Sequence, residues 1–220
     1  MIESIIKIWA KYYQVFLDGL VGTLQLALIT VLLGTLLGTV VALLRMTRFR
    51  PLNAVTGAYI EVLRGTPILL QLYFFWLLLP KLLGVNLSEK FCVTVALIIN
   101  SSSYVAEIIR AGIEAVDKGQ AEAAKSLGLS DFNMMRRIIL PQALKNILPA
   151  LGNEFIVMVK ETSLASVFFV GELMTAYKTV QSTTFLSIPS LTIVGIIYFV
   201  LTFAMSKGLQ VFERRLKASD

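Results

Sequence analysis

Long apolar runs separated by short polar stretches dominate the pattern of this 220-residue chain. The first run, Gly19 to Leu44, contains no charged residue and would form a helix about 39 Å long. About 20 apolar residues cross a hydrocarbon core of roughly 30 Å, so this run predicts a membrane span. The pattern predicts five helical spans in all, at about residues 19–44, 54–79, 91–115, 146–170 and 188–208.

Basic residues lie beside these runs and indicate how the chain is oriented. Loops on the cytoplasmic side of a membrane carry an excess of lysine and arginine. Such an excess occurs in three places, namely the loop with Arg45, Arg48 and Arg50, the polar stretch 116–145, and the tail with Arg214, Arg215 and Lys217. We therefore expect the N-terminus outside, the C-terminus in the cytoplasm, and the segments 80–90 and 172–187 outside.

The first fourteen residues allow two interpretations. Ile2, Ile5 and Trp9 recur at roughly helical spacing, with Glu3 and Lys7 between them. This pattern is typical of a helix that lies on the bilayer surface. It is equally consistent with an ordinary beginning of the first span.

Composition supports a membrane protein. Hydrophobic residues make up 56% of the chain and charged residues 15%, whereas soluble domains have about 25% charged residues. We therefore predict an all-α polytopic membrane protein that forms a single domain over residues 1–220. The net charge of +6 is explained by the basic loops, so we expect membrane lipids rather than nucleic acid as partners.

The sequence also excludes several kinds of chemistry. It contains no histidine and a single cysteine, Cys92, so a disulfide within the chain, a cysteine metal cluster and histidine-based catalysis are all excluded. No GxxxxGK[ST] motif for binding nucleotide phosphates is present. We therefore expect no catalytic residues, no metal and no cofactor of its own.

Charged residues within the second predicted span are unexpected and point to function. Glu61 and Arg64 lie three positions apart, near mid-membrane, and the sequence Gly65-Thr66-Pro67 follows them. Proline removes a backbone donor, so the helix is predicted to break here. A broken helix in the membrane exposes backbone polar groups that bind polar solutes.

The third and fourth spans add further polar side chains. Ionisable residues in spans usually face a bundle interior and mark substrate pathways. They can also form structural ion pairs, here Glu61 with Arg64, Glu107 with Arg110, and Lys160 with Glu161 across helices. Glu154 has no cation within one helical turn, which favours a role as ligand for an amino or guanidinium group. The predicted substrate-binding residues are Glu61, Arg64, Thr66, Asn100, Ser101, Glu154, Glu161, Thr162 and Ser163.

The polar stretch 116–145 contains a spaced motif, EAAxxxGx9IxLP. Its fixed positions are Glu122, Ala123, Ala124, Gly128, Ile138, Leu140 and Pro141. This pattern resembles the EAA loop in the permease subunits of bacterial ABC importers. It predicts two short helices separated at Gly128, and the resemblance implies that these residues couple the chain to an ATPase.

Other segments resemble the polar amino acid permeases of the histidine, glutamine and arginine type. They are Glu61 to Pro67, which reads E-x-x-R-G-T-P, Ala106 to Ile113, and Lys160 to Leu164. The resemblance implies a type I ABC importer permease fold, five spans and short cytoplasmic coupling helices. It also implies a bacterial inner-membrane location.

The same resemblance implies partners. They are a second permease subunit, identical or paralogous, two ABC ATPase subunits that bind ATP and Mg²⁺, and an extracytoplasmic solute-binding protein. The chain itself would then be no enzyme. The alternatives are an ABC permease for another small polar solute, a non-transporting membrane scaffold, and a membrane enzyme, which the absence of an acid–base constellation disfavours.

Overall fold

The structure is a computed structural model and describes residues 1–47 and 49–217, so that Arg48 of the first basic loop lies outside it. These residues form helices and contain no strand, which confirms the all-α prediction. The helices are α1 (Ile2–Arg45), α2 (Arg50–Gly65), α3 (Ile68–Leu83), α4 (Glu89–Glu114), α5 (Lys118–Ser126), α6 (Asp131–Met134), α7 (Leu140–Glu161), α8 (Leu173–Thr184) and α9 (Ser187–Lys217). A π-helical stretch, Met135–Ile139, precedes α7, and a 3₁₀ segment, Thr162–Phe168, follows it.

Helices α1 and α4 pack closely through glycine. A Cβ atom at Gly34 would lie 3.0 Å from the Ser101 side chain, and one at Gly38 would lie 2.7 Å from the Ser102 carbonyl oxygen. Small residues let helices approach in lipid, where no hydrophobic effect drives them together. The glycines of α1 therefore bring its backbone against the polar part of α4.

The N-terminal residues form the beginning of α1 and not a separate surface helix. Ile8 and Phe16 are buried in a cluster with Leu173 and Val180 of α8 and with Val194 of α9. The segment 172–187, predicted as an outer connection, consequently contains a helix with a packed apolar face. Leu173 also donates its backbone N–H to Thr23 Oγ1 over 3.1 Å.

The second predicted span is bent by 110° between α2 and α3. Gly65 ends α2, Thr66 is extended, and α3 begins immediately after Pro67. This confirms the predicted break, which follows from the missing proline donor. The bend places the N-terminal end of α3 beside residues of α4 and α7.

Among the described residues, three helices are long and apolar enough to cross a membrane, namely α1, α4 and α9. The bent pair α2 and α3 makes a fourth if it is one span. The fourth predicted span, 146–170, differs from the observed helix, because α7 begins earlier at Leu140 and gives way to the 3₁₀ segment after Glu161. The number of crossings and their orientation stay predictions.

Candidate functional site

A cavity of about 250 Å³ lies where α3, α4 and α7 meet. Its lining combines one end of the bent pair with polar side chains from the two other helices. The lining residues are Thr66, Pro67, Ile68, Asn100, Tyr104, Glu154, Val157, Met158 and Glu161. The structure thus brings together four of the predicted substrate residues, Thr66, Asn100, Glu154 and Glu161.

Glu154 is the most buried carboxylate of this cavity, with 6% of its surface exposed. Its Oε1 atom accepts a hydrogen bond of 3.0 Å from Ser101 Oγ, and Ser101 itself is fully buried. Among the described residues, Glu154 takes part in no ion pair. A buried carboxylate without a cation is suited to a positively charged solute group.

Gln71 organises the bend, a role that the sequence analysis missed. Its amide nitrogen donates to the Leu63 carbonyl at 2.7 Å and to Thr66 Oγ1 at 2.9 Å. Its amide oxygen accepts from Asn100 Nδ2 at 2.9 Å. Gln71 therefore joins α2, α3 and α4 beside the cavity. The available signal was one polar residue among apolar neighbours in α3.

The N-terminal end of α3 offers donors to the cavity. No side chain caps this helix, and Pro67 and Ile68 at its start line the cavity. The first backbone N–H groups of a helix lack intrahelical partners and bind anions. This end is therefore suited to a carboxylate of the solute, whereas Glu154 is suited to a positively charged group of the solute.

Arg64 pairs differently from the predicted Glu61–Arg64 bridge. Its nearest carboxylate is Glu107 of α4, at 3.8 Å, and its guanidinium lies 5.4 Å from the centre of the Tyr104 ring. Glu61 is exposed, and no ion pair of Glu61 occurs in the described part of the chain. The expected Glu107–Arg110 pair is present at 2.5 Å.

The remaining predicted ligands lie outside this cavity. Thr162 is buried and donates to the Val159 carbonyl at 2.7 Å, which satisfies its hydroxyl locally. Ser163 lines a different cavity, together with Lys160 and Tyr198. No pair of Lys160 with Glu161 forms among the described residues. The arrangement thus separates these side chains from Glu154.

A second functional element is the hairpin of α5 and α6, which connects α4 with α7. Gly128 has a φ of +75°, and its N–H donates to the Lys125 carbonyl at 2.9 Å. Leu129 N–H donates to the Ala124 carbonyl at 3.1 Å, which completes a Schellman motif. Ser130 then caps α6 by accepting from Asn133 N–H. The predicted division into two helices at Gly128 is confirmed.

The motif residues lie on two sides of this hairpin. Ala124 is buried in a cluster that includes Ala143 and Ile147 of α7, and Ile138 packs against the same cluster. Glu122 and Ala123 are exposed, as are Gly128 and, in the first turn of α7, Leu140 and Pro141. The buried side attaches the hairpin to α7, while the exposed side is free for a partner.

Comparisons with known proteins agree with this arrangement. Residues 15–218 match the family described as binding-protein-dependent transport system inner membrane component. The arginine transport system permease protein ArtQ of Bacillus subtilis (strain 168) is 41% identical over 204 residues, which is 93% of either chain. The putative glutamine transport system permease protein GlnP of Rickettsia bellii is 35% identical over the full length of both chains.

Solved structures have the same fold. A crystal structure of an amino acid ABC transporter with histidines contains a chain that is 48% identical, with a TM-score of 0.90 over 94% of this chain and 96% of that one. The MetNI methionine ABC transporter, in an inward-facing form, has 15% identity and a TM-score of 0.78 over 92% and 96%, and supports the fold alone. The type I ABC importer permease fold is thus confirmed. The chain belongs to the family of binding-protein-dependent transport system inner membrane components.

Proposed function

We propose that this chain is the membrane-spanning permease subunit of an ATP-driven importer of polar amino acids. One observation carries the proposal: two of the three helices that form the cavity, α4 and α7, also hold the α5–α6 hairpin. Asn100 and Ser101 lie on α4, which ends just before α5, and Glu154 lies on α7, which begins just after the π-helical stretch. A displacement of the hairpin is therefore transmitted directly to the cavity.

The cavity has the two charge preferences of an amino acid. Glu154 and Glu161 attract an ammonium or guanidinium group, and the uncapped end of α3 attracts a carboxylate. The names of the relatives, which are arginine and glutamine permeases, support the same class of solute. Thr66 and Asn100 line the same cavity and supply neutral hydrogen-bonding groups.

The energy for transport comes from ATP hydrolysis in a partner protein. We propose that ABC ATPase subunits contact the exposed side of the hairpin, where Leu127 and Phe132 are 82% and 70% exposed. Exposed apolar side chains of this size are typical of protein contact sites. ATP and Mg²⁺ would be bound by those subunits, while a second permease subunit and an extracytoplasmic solute-binding protein complete the assembly. The hairpin then lies in the cytoplasm, with the N-terminus outside and the C-terminus inside.

Reconstitution tests this function directly. The full complex in proteoliposomes is supplied with ATP, and uptake of radiolabelled arginine is challenged with unlabelled amino acids and with sugars. We expect uptake that requires ATP and the ATPase partner, and that polar amino acids inhibit. Competition by a sugar alone would indicate another solute, and accumulation by this chain without any partner would contradict the proposal.

A further inference from the structure

Another cavity, of about 510 Å³, lies beside Glu89 at the start of α4, which is the end of that helix opposite the hairpin. Its lining consists mainly of aromatic rings and includes one carboxylate. The lining residues are Tyr73, Trp76, Glu89, Val167, Phe168 and Phe169. We call this group the aromatic cage. Nothing in the importer function proposed above makes use of it.

Two of the helices that build the aromatic cage, α3 and α4, also line the cavity beside Glu154. Helix α3 contributes Ile68 to that cavity, and Tyr73 and Trp76 to the cage. The segment after α7 likewise connects Glu161 at the cavity with Phe168 at the cage. The two cavities therefore lie along the same two helices, α3 and α4.

Helix α4 gives the distance between the two spaces. Glu89 is the first residue of α4, and Asn100 follows eleven residues later in the same helix. At the α-helical rise, this separation is about 17 Å along the helix axis. A solute that leaves the cage toward the interior would therefore reach Asn100 and Glu154 after about three turns of α4.

The rings of the cage are arranged around Phe168. Its centroid lies 5.0 Å from that of Tyr73 and 5.5 Å from that of Trp76. Tyr73 and Trp76 are 39% and 37% exposed, so parts of their surfaces are accessible. A cation within about 6 Å of a ring centroid is attracted to the face of the ring, most strongly for tryptophan.

The charges around the cage favour a cation. Glu89 is its only ionisable carboxylate, and no lysine or arginine is among the lining residues. Lys178 approaches from α8, with its Nζ atom 5.5 Å from the Phe169 centroid. This ammonium is held in place because it donates to the Ser166 carbonyl at 2.8 Å. Of the rings of the cage in the described structure, its ammonium lies over that of Phe169, and no cation lies over Tyr73 or Trp76.

We propose that the aromatic cage is a first binding station for the positively charged side chain of a cationic amino acid. The guanidinium or ammonium group lies over Tyr73 and Trp76 and is attracted by the Glu89 carboxylate. The solute then moves inward to Glu154. This inference rests on the importer function and narrows its solute class to amino acids with a cationic side chain.

Tryptophan fluorescence tests binding without any transport. The chain has two tryptophans, so Trp9→Phe leaves Trp76 as its single tryptophan reporter. The purified full-length variant is titrated with arginine and with citrulline, which has a similar shape but no charge. We expect a saturable change with arginine, and about tenfold weaker binding of citrulline, within the range of cation–π energies. Equal responses to both compounds would overturn the proposal.

Two substitutions locate the response. Glu89→Gln is expected to weaken arginine binding severalfold, whereas Glu3→Gln, at an exposed carboxylate that pairs with Lys7, should leave it unchanged. Glu154→Gln should leave the Trp76 signal in place, because that carboxylate lines the other cavity. If the arginine-dependent change in Trp76 fluorescence disappears with Glu154→Gln but persists with Glu89→Gln, arginine binds in the inner cavity. That result would overturn the proposed binding station.

Transport kinetics provide an independent readout. In the reconstituted complex, Trp76→Leu is expected to raise the KM for arginine about tenfold, with kcat changed less than twofold. Trp76→Phe retains a ring and should fall between Leu and the wild type, which separates loss of the ring from misfolding. Phe74→Leu, on the same helix but lining a different cavity, is the matched control.

Failure of the inference and failure of the proposed function have different signatures. An unchanged preference for arginine over citrulline in Trp76→Leu, with normal ATP-driven uptake, rejects the station alone. Absence of ATP-driven amino acid uptake by the wild-type complex rejects the importer function, whatever the fluorescence titration shows.

Discussion

The cavity beside Glu154 and the α5–α6 hairpin draw their contacts from very different distances along the chain. Ser101 and Glu154 are 53 positions apart. In the hairpin, Gly128 bonds to Lys125, and Ser130 caps a helix through Asn133. The geometry of the hairpin is therefore encoded in its own short sequence, whereas the cavity exists only after three helices have packed.

The largest expected effect concerns the cavity beside Glu154, whose contacts join distant parts of the chain. Glu154→Gln retains an acceptor for Ser101 but removes the charge, and hydrogen bonds to charged groups contribute about 1.5–3 kcal/mol. We expect the uptake rate of arginine at subsaturating concentration to fall by about 10- to 150-fold, measured in proteoliposomes.

The matched control for Glu154→Gln is Ser101→Ala, which keeps the carboxylate and loses one donor. Its effect should be smaller, because the solute can still bind the charge. ATPase assembly, followed by co-purification of the subunits, should be unchanged in both variants. Wild-type uptake by Glu154→Gln would show that this carboxylate is no ligand.

The α5–α6 hairpin, whose contacts are local, is tested at Gly128. The φ of this residue is +75°, which suits glycine or asparagine. A β-branched residue there is strained, at a cost of about 1–2 kcal/mol, although a Cβ atom would meet no neighbour within 4 Å. For Gly128→Val we expect the amount of solute imported per ATP hydrolysed to fall about tenfold. Gly128→Asn should change it less than twofold.

Only the hairpin should respond to these two substitutions. The circular dichroism spectrum of the isolated chain is expected to match that of the wild type. The thermal unfolding midpoint of Gly128→Val should fall by about 2–8 °C at most, as a strain of about 1–2 kcal/mol implies. Normal coupling in Gly128→Val would mean that the turn geometry does not position a contact with the ATPase.

The smallest effect concerns packing behind the cavity. A Cβ at Gly38 would lie 2.7 Å from Val105 Cβ, and overpacking costs about 1–3 kcal/mol. Replacing a helical glycine by alanine otherwise gains up to about 1 kcal/mol. Gly38→Ala should therefore lose up to about 2 kcal/mol of unfolding free energy, measured by denaturant titration.

Gly195→Ala is the control for Gly38→Ala, because a Cβ there meets no atom within 4 Å. It should be neutral or stabilising. Equal stability of the two variants would show that α1 and α4 do not depend on their close approach at Gly38.

The contrast also explains what sequence reasoning found. Periodicity and breakers are local, so the all-α class, the break at Gly65-Thr66-Pro67 and the turn at Gly128 were all predictable. Gly34 and Gly38 are four residues apart, so a small-residue face of α1 can also be read from local spacing.

Pairings between distant helices were not predictable. The partner of Arg64 was expected to be Glu61, three positions away, but Glu107 lies closer once α2 and α4 have packed. The central position of Gln71 has the same origin, because its partner Asn100 lies 29 positions away. For such pairs, spacing within one helix carries no information.

The bond between Leu173 N–H and Thr23 Oγ1 joins positions 150 residues apart. Translation proceeds from the N-terminus at about 5–20 residues per second, so roughly 8–30 s separate the synthesis of these two partners. During that interval the Thr23 hydroxyl of α1 lacks this donor. Assembly of this subunit in the membrane therefore requires that α1, the first helix to be synthesised, remain able to bond with α8 after most of the chain has been made.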